Sequence, residues 1–231
     1  MILYMPHQPR SAERFMPSVY MYVVARDFGF APNPFHGVCT LATCKPVIRK
    51  TAQVGDWVVG MGGAKLRAVG RCIYAMQVTD TRTFDAYWDD PVFHSKRPVR
   101  NGTRKTIMGD NIYHRSAGTM AWIQEDSHHS QVDGSPEPSN IKNDTQTNRV
   151  LISRRFYYFG ALAPLVPHHI LTQLGYRNQI GHRKFPLVGA QPLLDWIEAK
   201  YRRQTNTVIG DPYQFMESGA RYSKRMDKIL D

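Results

Sequence analysis

The chain has 231 residues, 42% hydrophobic and 11% aromatic, with 30 Lys and Arg against 19 Asp and Glu, for a formal net charge of +11. That size and composition exclude a disordered or fibrous chain and allow a core of ordinary dimensions. The positive balance points to a polyanionic partner, nucleotide or DNA, because clustered Lys and Arg release condensed counterions on binding phosphate; the plainer reading is a solvated basic surface.

In chain order, residues 20–25 read as a strand, with Val, Tyr and Met in short alternation up to the charged pair Arg26-Asp27. The loop 28–37, FGFAPNPFHG, spends three aromatics on a Pro-stiffened turn, so it either plugs into the core or presents flat rings to a flat ligand. Short strands are expected at 38–43 and 54–60, a long one at 66–78, and a helix at 83–88 before Asp89-Asp90-Pro91. Residues 91–106 form the densest basic, turn-rich stretch. The polar run 126–148 reads as a mobile surface loop or a lid, too long for an idle connection. Strands return at 150–152 and 156–159. Pro167 starts a short helix stopped by Gly175, residues 192–201 have helical spacing, and the basic tail 222–231 is a last helix or a frayed end.

Strands first and the clearest helices late predict one α+β domain over residues 1–231, with a helical portion from about 165 onward. The expected sheet is curved and mixed or antiparallel, with peripheral helices. Three cysteines, Cys39, Cys44 and Cys72, lack disulfide-framework spacing, and neither a leader nor a membrane span is visible. A cytoplasmic protein with no membrane partner is expected.

Arg26 can clamp a phosphate or a base edge, and Asp27 can orient it or move a proton; the alternative is an ion pair that fastens the loop. Phe30, Phe35 and Asn33 make a base-reading set, since stacking contributes about 1–3 kcal/mol per base and an amide can pair with a purine edge. Against this, the rings can simply anchor the loop. Cys39 and Cys44 flank two threonines beside Lys45, which can activate either thiol, although buried cysteines are more often small hydrophobes. Cys39, Thr43 and Lys45 join the expected binding set. A second polar cluster holds Asp110, Asn111, Tyr113, His114, Gln124 and His129, where a His beside a carboxylate is an acid/base pair. Asp27, Asp110 and His129 are the expected catalytic groups, with Asn111 and Tyr113 binding substrate. Asp144 and Arg149 flank the polar run and can close it over a ligand. No metal spacing, phosphate-cradling loop or dinucleotide fingerprint is present, so no metal is expected and no cofactor is assigned.

The segments YVVARDFGFAPNPFHGVCTLATCKP, VGDWVVG, GDNIYH, Ser127-His128-His129-Ser130 and VLISRRFYYFG resemble the nucleotide modification associated domain 2 family. The resemblance implies a part in making modified or hypermodified bases in phage and bacterial DNA, with other base-modification enzymes as partners. It marks Arg26, Asp27, Asn33, Cys39, Cys44, Asp110, Asn111, Tyr113, His129 and Ser153 as candidate positions without assigning roles. A looser similarity, over residues 50–78, is to PUA-like domains including ASCH, EVE and YTH members. It implies a small β-barrel core and a non-enzymatic reader that flips a modified base into a pocket bordered by Phe30, Phe35 and Trp57. A third reading is a nuclease-like effector from a defence locus.

Overall fold

A computed structural model describes residues 16–116 and 118–230 of the chain. The start MILYMPHQPRSAERF, where no leader was expected, lies outside the described residues. Strand β1 (Ser18–Val24) is buried at every position except the half-buried Val23, as befits a central strand covered on both faces. Strand β2 (Cys39–Leu41), helix α1 (Pro46–Thr51) and strand β3 (Trp57–Gly62) follow. Pro46 opens α1, where a missing N–H costs no helical bond. Gly60 lies under the Tyr74 ring, and a Cβ built there would stand 2.2 Å from it.

The long strand expected at 66–78 is cut short. A 3₁₀ turn at Ala64–Leu66 and positive φ angles at Arg67 (50°) and Gly70 (78°) bend the chain, so β4 spans only Cys72–Gln77. After β5 (Asp80–Arg82), Thr83 caps helix α2 (Phe84–Asp89), accepting the Ala86 N–H. The basic stretch folds as a 3₁₀ helix at Pro91–Lys96 and a single turn, α3 (Arg104–Ile107). A hairpin of β6 (Tyr113–Arg115) and β7 (Trp122–Gln124) comes next.

The polar run is not a mobile surface loop. It contains helix α4 (Pro138–Asp144), and Ser127, His128, His129, Ser130, Asn140 and Asp144 are all buried. Strands β8 (Val150–Ser153) and β9 (Arg155–Tyr158) appear as expected, then helix α5 (His168–Leu174), closed by Gly175 in the left-handed conformation. Strand β10 (His182–Pro186) leads into α6 (Leu187–Tyr201), which starts five residues earlier than expected and carries Pro192 inside it. Leu193, Leu194 and Ile197 bury its inner face, at about 1.5–3 kcal/mol for each side chain. The short strand β11 (Thr207–Val208) follows. The tail is neither helix nor frayed end: β12 (Arg221–Ser223) and β13 (Lys228–Leu230) pair antiparallel, with Tyr222 opposite Ile229.

The architecture is mixed α+β. Six strands form one sheet in the order β10-β1-β3-β4-β9-β11, parallel at β1/β3 and β9/β11 and antiparallel elsewhere. The sheet stays open, its edges β10 and β11 unpaired with each other, so a PUA-like closed barrel is not what this chain builds. Strands β2, β8 and β5 make a second, antiparallel sheet, and the chain passes directly between sheets from β8 to β9. One apolar cluster fills the six-stranded sheet and its contact with α5 and α6; a second, rich in Phe, packs under the smaller sheet. The end of β1, the start of α1, helix α4 and the β12–β13 hairpin meet around one cavity. Among the described residues no helix is long and apolar enough to cross a membrane.

Candidate functional site

Leaving β2, the chain turns sharply before α1. Cys44 has φ 55° and Lys45 φ 39°, two consecutive non-glycine residues in the left-handed region. Each costs on the order of 1–2 kcal/mol, strain that persists only where the surroundings over-determine it and that clusters at functional sites. The turn aims the Cys44 side chain at the ring of His129, with Sγ 3.7 Å from Nε2. On its other side, His129 Nδ1 donates to Asp144 Oδ2 at 2.7 Å. Thiol, imidazole and carboxylate are thus joined in one chain of contacts, from three separate segments of the chain, the pattern of a nucleophile, base and orienting group.

Several buried groups hold this line. Asp144 Oδ1 accepts the Cys44 N–H at 2.7 Å and Asn143 Nδ2 at 3.0 Å, and Oδ2 accepts the Tyr113 hydroxyl at 3.0 Å besides His129. Gln124 donates to Tyr113 Oη and to the His129 carbonyl, and Asn140 donates to that carbonyl at 2.7 Å. Beneath them lies Arg49, wholly buried, its guanidinium bonded to the carbonyls of Cys44, Asp144, Thr147 and Arg149. One cation thus clamps the backbone of Cys44 to that of Asp144.

The charges follow from these contacts. Burial alone would disfavour a charged His129, but Asp144 and Cys44 outweigh it and hold the imidazolium up to about pKa 10. Burial would likewise raise Asp144; the His129 charge and hydrogen bond, with Arg49 and the Cys44 N–H, instead hold it below the usual carboxylate range. The neighbouring His128, buried beside the charged His129, is pushed down to about 3 and stays neutral, its Nδ1 2.7 Å from the Ala220 carbonyl.

Donor atoms of Cys44, His129 and Asp144 all lie within 4.8 Å of one another, close enough to pose the question of a metal. In this structure the Asp144 oxygens are already engaged in hydrogen bonds. A carboxylate offers about four lone-pair sites, and Asp144 fills them with Cys44 N, Asn143 Nδ2, Tyr113 Oη and His129 Nδ1. The arrangement suits proton transfer to and from a thiol.

The cavity in front of Cys44 measures about 300 Å³, at the small end for ligand pockets. Phe28 and Phe30 form an aromatic wall, with Phe30 4.7 Å from the His129 ring, centroid to centroid. Tyr22 forms the floor under Lys45, whose Nζ is 4.3 Å from the ring centroid. Arg26, Lys224 and Tyr222 contribute polar and aromatic edges. Asp27 also borders the cavity; its carboxylate accepts from the Tyr158 hydroxyl and the Tyr213 N–H, and burial pushes it up to about 6.

The structure brings together Arg26, Asp27, Phe30, Lys45 and His129 at this cavity, with Tyr113 one bond behind it. It places the other expected residues elsewhere. Asp110 is fully buried against the Thr40 and Tyr87 hydroxyls at 2.7 and 2.9 Å, too far inside the Phe-rich core to meet a ligand. Asn33 spends its amide on Met108 O, Phe35 N and Lys96 Nζ, and Phe35 packs on Phe215. Asn111 donates to the carbonyls of Tyr87 and Phe93, Cys39 faces Met76 with its thiol pushed up to about 12 by burial, and Ser153 donates to Arg155 O. Thr43 is buried, its hydroxyl without a partner among the described residues.

Cys44 and Asp144 are candidates from sequence alone but nothing there joins them to His129, and Arg49, Asn140, Tyr222 and Lys224 at the site carry no sequence signal. Pro46 marks the start of a helix directly after Cys44-Lys45, but nothing local marks the thiol itself. Residues 16–219 match the family model described as nucleotide modification associated domain 2, while no curated protein and no solved structure matches. The chain belongs to the nucleotide modification associated domain 2 family, a family named for its association with nucleotide modification.

Proposed function

We propose that this protein is a thiol-dependent enzyme that modifies a nucleotide or a flipped nucleobase on the way to a modified base in DNA. The observation that carries the reading is Cys44, held in a strained turn with Sγ 3.7 Å from a buried His129–Asp144 pair and facing a cavity walled by aromatic and basic side chains. A non-enzymatic reader of modified bases needs the aromatic wall but has no use for such a triad.

Acyl transfer is the reaction class this constellation suits best. The Cys44 thiolate attacks a carbonyl carbon in the cavity, and the C=O π pair moves onto oxygen. Collapse breaks the bond to the leaving amine or alkoxide, which takes the proton from His129. An incoming amine or water then gives its proton to the His129 imidazole and attacks the thioester. Cys44 departs as thiolate, beside the imidazolium once more. Asp144 holds the ring in the tautomer that both steps require. Base flipping would bring the carbonyl within reach if the substrate is duplex DNA, at a cost of a few kcal/mol.

The test is intact-mass analysis of the protein after incubation with nucleotides and short DNAs carrying ordinary and acyl-bearing bases. An adduct on Cys44 that forms in the native protein and decays on adding an amine is the expected result. Turnover that survives Cys44→Ala would overturn the assignment.

A further inference from the structure

Two lysines of the cavity stand without a carboxylate partner among the described residues. Lys45 Nζ sits over the Tyr22 ring, and Lys224 lines the same cavity from the tip of the β12–β13 hairpin. Among the described residues neither ammonium has a carboxylate partner, whereas Arg26 on the same rim is paired with Asp227 at 3.0 Å. Burial, chiefly, with a smaller push from Lys224, holds Lys45 below the usual lysine range against the opposing pull of Cys44. Two ammonium groups lining one cavity attract an anionic ligand into it.

The hairpin is fastened where it can serve this purpose. Lys224 N donates to Asn140 Oδ1 at 2.9 Å, Asn140 Nδ2 donates to Tyr222 O, Tyr222 N donates to His128 O, and Arg225 N donates to Ser139 Oγ. Asn140 also holds the His129 carbonyl, so the hairpin and the triad share one residue. The segment that matches the family ends at residue 219, before the hairpin.

We infer that Lys45 and Lys224 form an anion subsite beside Cys44 that takes the phosphate of the nucleotide, and that the β12–β13 hairpin completes it and sets this chain's substrate preference. The inference rests on the nucleotide reading above but not on the acyl-transfer step. A lysine pair is a point-charge site, suited to a phosphate at the rim while the base lies against Phe28 and Phe30.

The experiment compares alkylation of Cys44 in the full chain by iodoacetate, an anion, and iodoacetamide, its neutral analogue. Lys224→Gln should lower the iodoacetate-to-iodoacetamide rate ratio about threefold to tenfold. Lys228→Gln, the same charge change on the hairpin's outer strand, should leave the ratio unchanged. Inorganic phosphate and deoxynucleoside 5′-monophosphates should slow alkylation of the native protein, and nucleosides should not; Lys45→Gln with Lys224→Gln should abolish the protection. Protection by a short single-stranded DNA in place of the monophosphates, with the same lysine dependence, would assign the subsite to a backbone phosphate. An unchanged ratio in Lys224→Gln together with no protection by phosphate would overturn the subsite. Failure of the enzymatic reading shows separately, as alkylation of Cys44 that is indifferent to His129→Gln, and the rate ratio remains readable in that case.

Discussion

Asp144 and Asp110 are both wholly buried carboxylates inside hydrogen-bonded polar networks, and only one of them belongs to a candidate catalytic centre. Asp144 faces a histidine that can carry a proton, and beyond it a thiol that borders a cavity. Asp110 faces two hydroxyls, Thr40 and Tyr87, with Lys96 nearby, and every one of these groups is sealed in the Phe-rich core. Lys96 in turn spends its three N–H donors on Asn33 O, Asn33 Oδ1 and Val38 O, which ties the FGFAPNPFHG loop, and the Val38 that follows it, to the 3₁₀ helix at Pro91–Lys96. Burial and charge are common to both clusters. What separates them is a titrating partner and an opening to ligand.

The sharpest way to break the comparison is to remove one element of each cluster. Cys44→Ser should lower turnover at least about 10³-fold, the usual loss when a covalent nucleophile is removed, while nucleotide binding, measured by calorimetry, is retained. Lys96→Met should do the reverse. It removes one donor from each of three buried acceptors and leaves Asp110 without its nearby cation, for a loss of about 3–5 kcal/mol in denaturant unfolding. Under conditions where the protein stays folded, the alkylation rate of Cys44 should be untouched. Equal effects of the two substitutions on Cys44 reactivity would mean that the two networks are one.

A smaller effect is expected at Tyr113, which gives Asp144 one of its four hydrogen bonds. Tyr113→Phe should cost about 1 kcal/mol of stability and slow Cys44 alkylation a few-fold. The smallest effect is one of pH. Because folding raises the His129 pKa from 6.5 to about 10, its contribution to stability is complete below about 6.5 and is lost as the pH rises through about 10. Thermal melts should therefore fall between pH 7 and 10, and His129→Gln should flatten that fall. A decline of unchanged steepness in the variant would locate the titrating group elsewhere.

The parts of this molecule that local pattern dictates were legible in its sequence. Strand β1 and helices α2 and α5 each carry their own signals: alternation, a Thr83 cap, and the Pro167–Gly175 bracket. The six-stranded sheet was legible only as a class, because its order depends on pairings such as β1 with β10, more than 150 residues apart. Composition misled at 126–148. Its Ser, Asn, Asp and His look solvated, but they bond to one another inside the fold, and hydrophilicity alone does not distinguish water from a protein partner. The same blindness put Asp110 beside His129 in the reading of the site. Cys44, His129 and Asp144 are spread over a hundred residues, and the left-handed turn that aims the thiol leaves no mark in residue type, since left-handed positions favour Gly and Asn over Cys and Lys.

The most direct test is the rate at which iodoacetamide alkylates each cysteine near neutral pH, in the native protein and in His129→Gln. Cys39 and Cys72, buried thiols pushed up to about 12, serve as internal references. Selective alkylation of Cys44, faster than a free thiol and slowed about tenfold or more by His129→Gln, is the predicted result. A Cys44 that reacts no faster than a free thiol, with or without His129, would contradict the account.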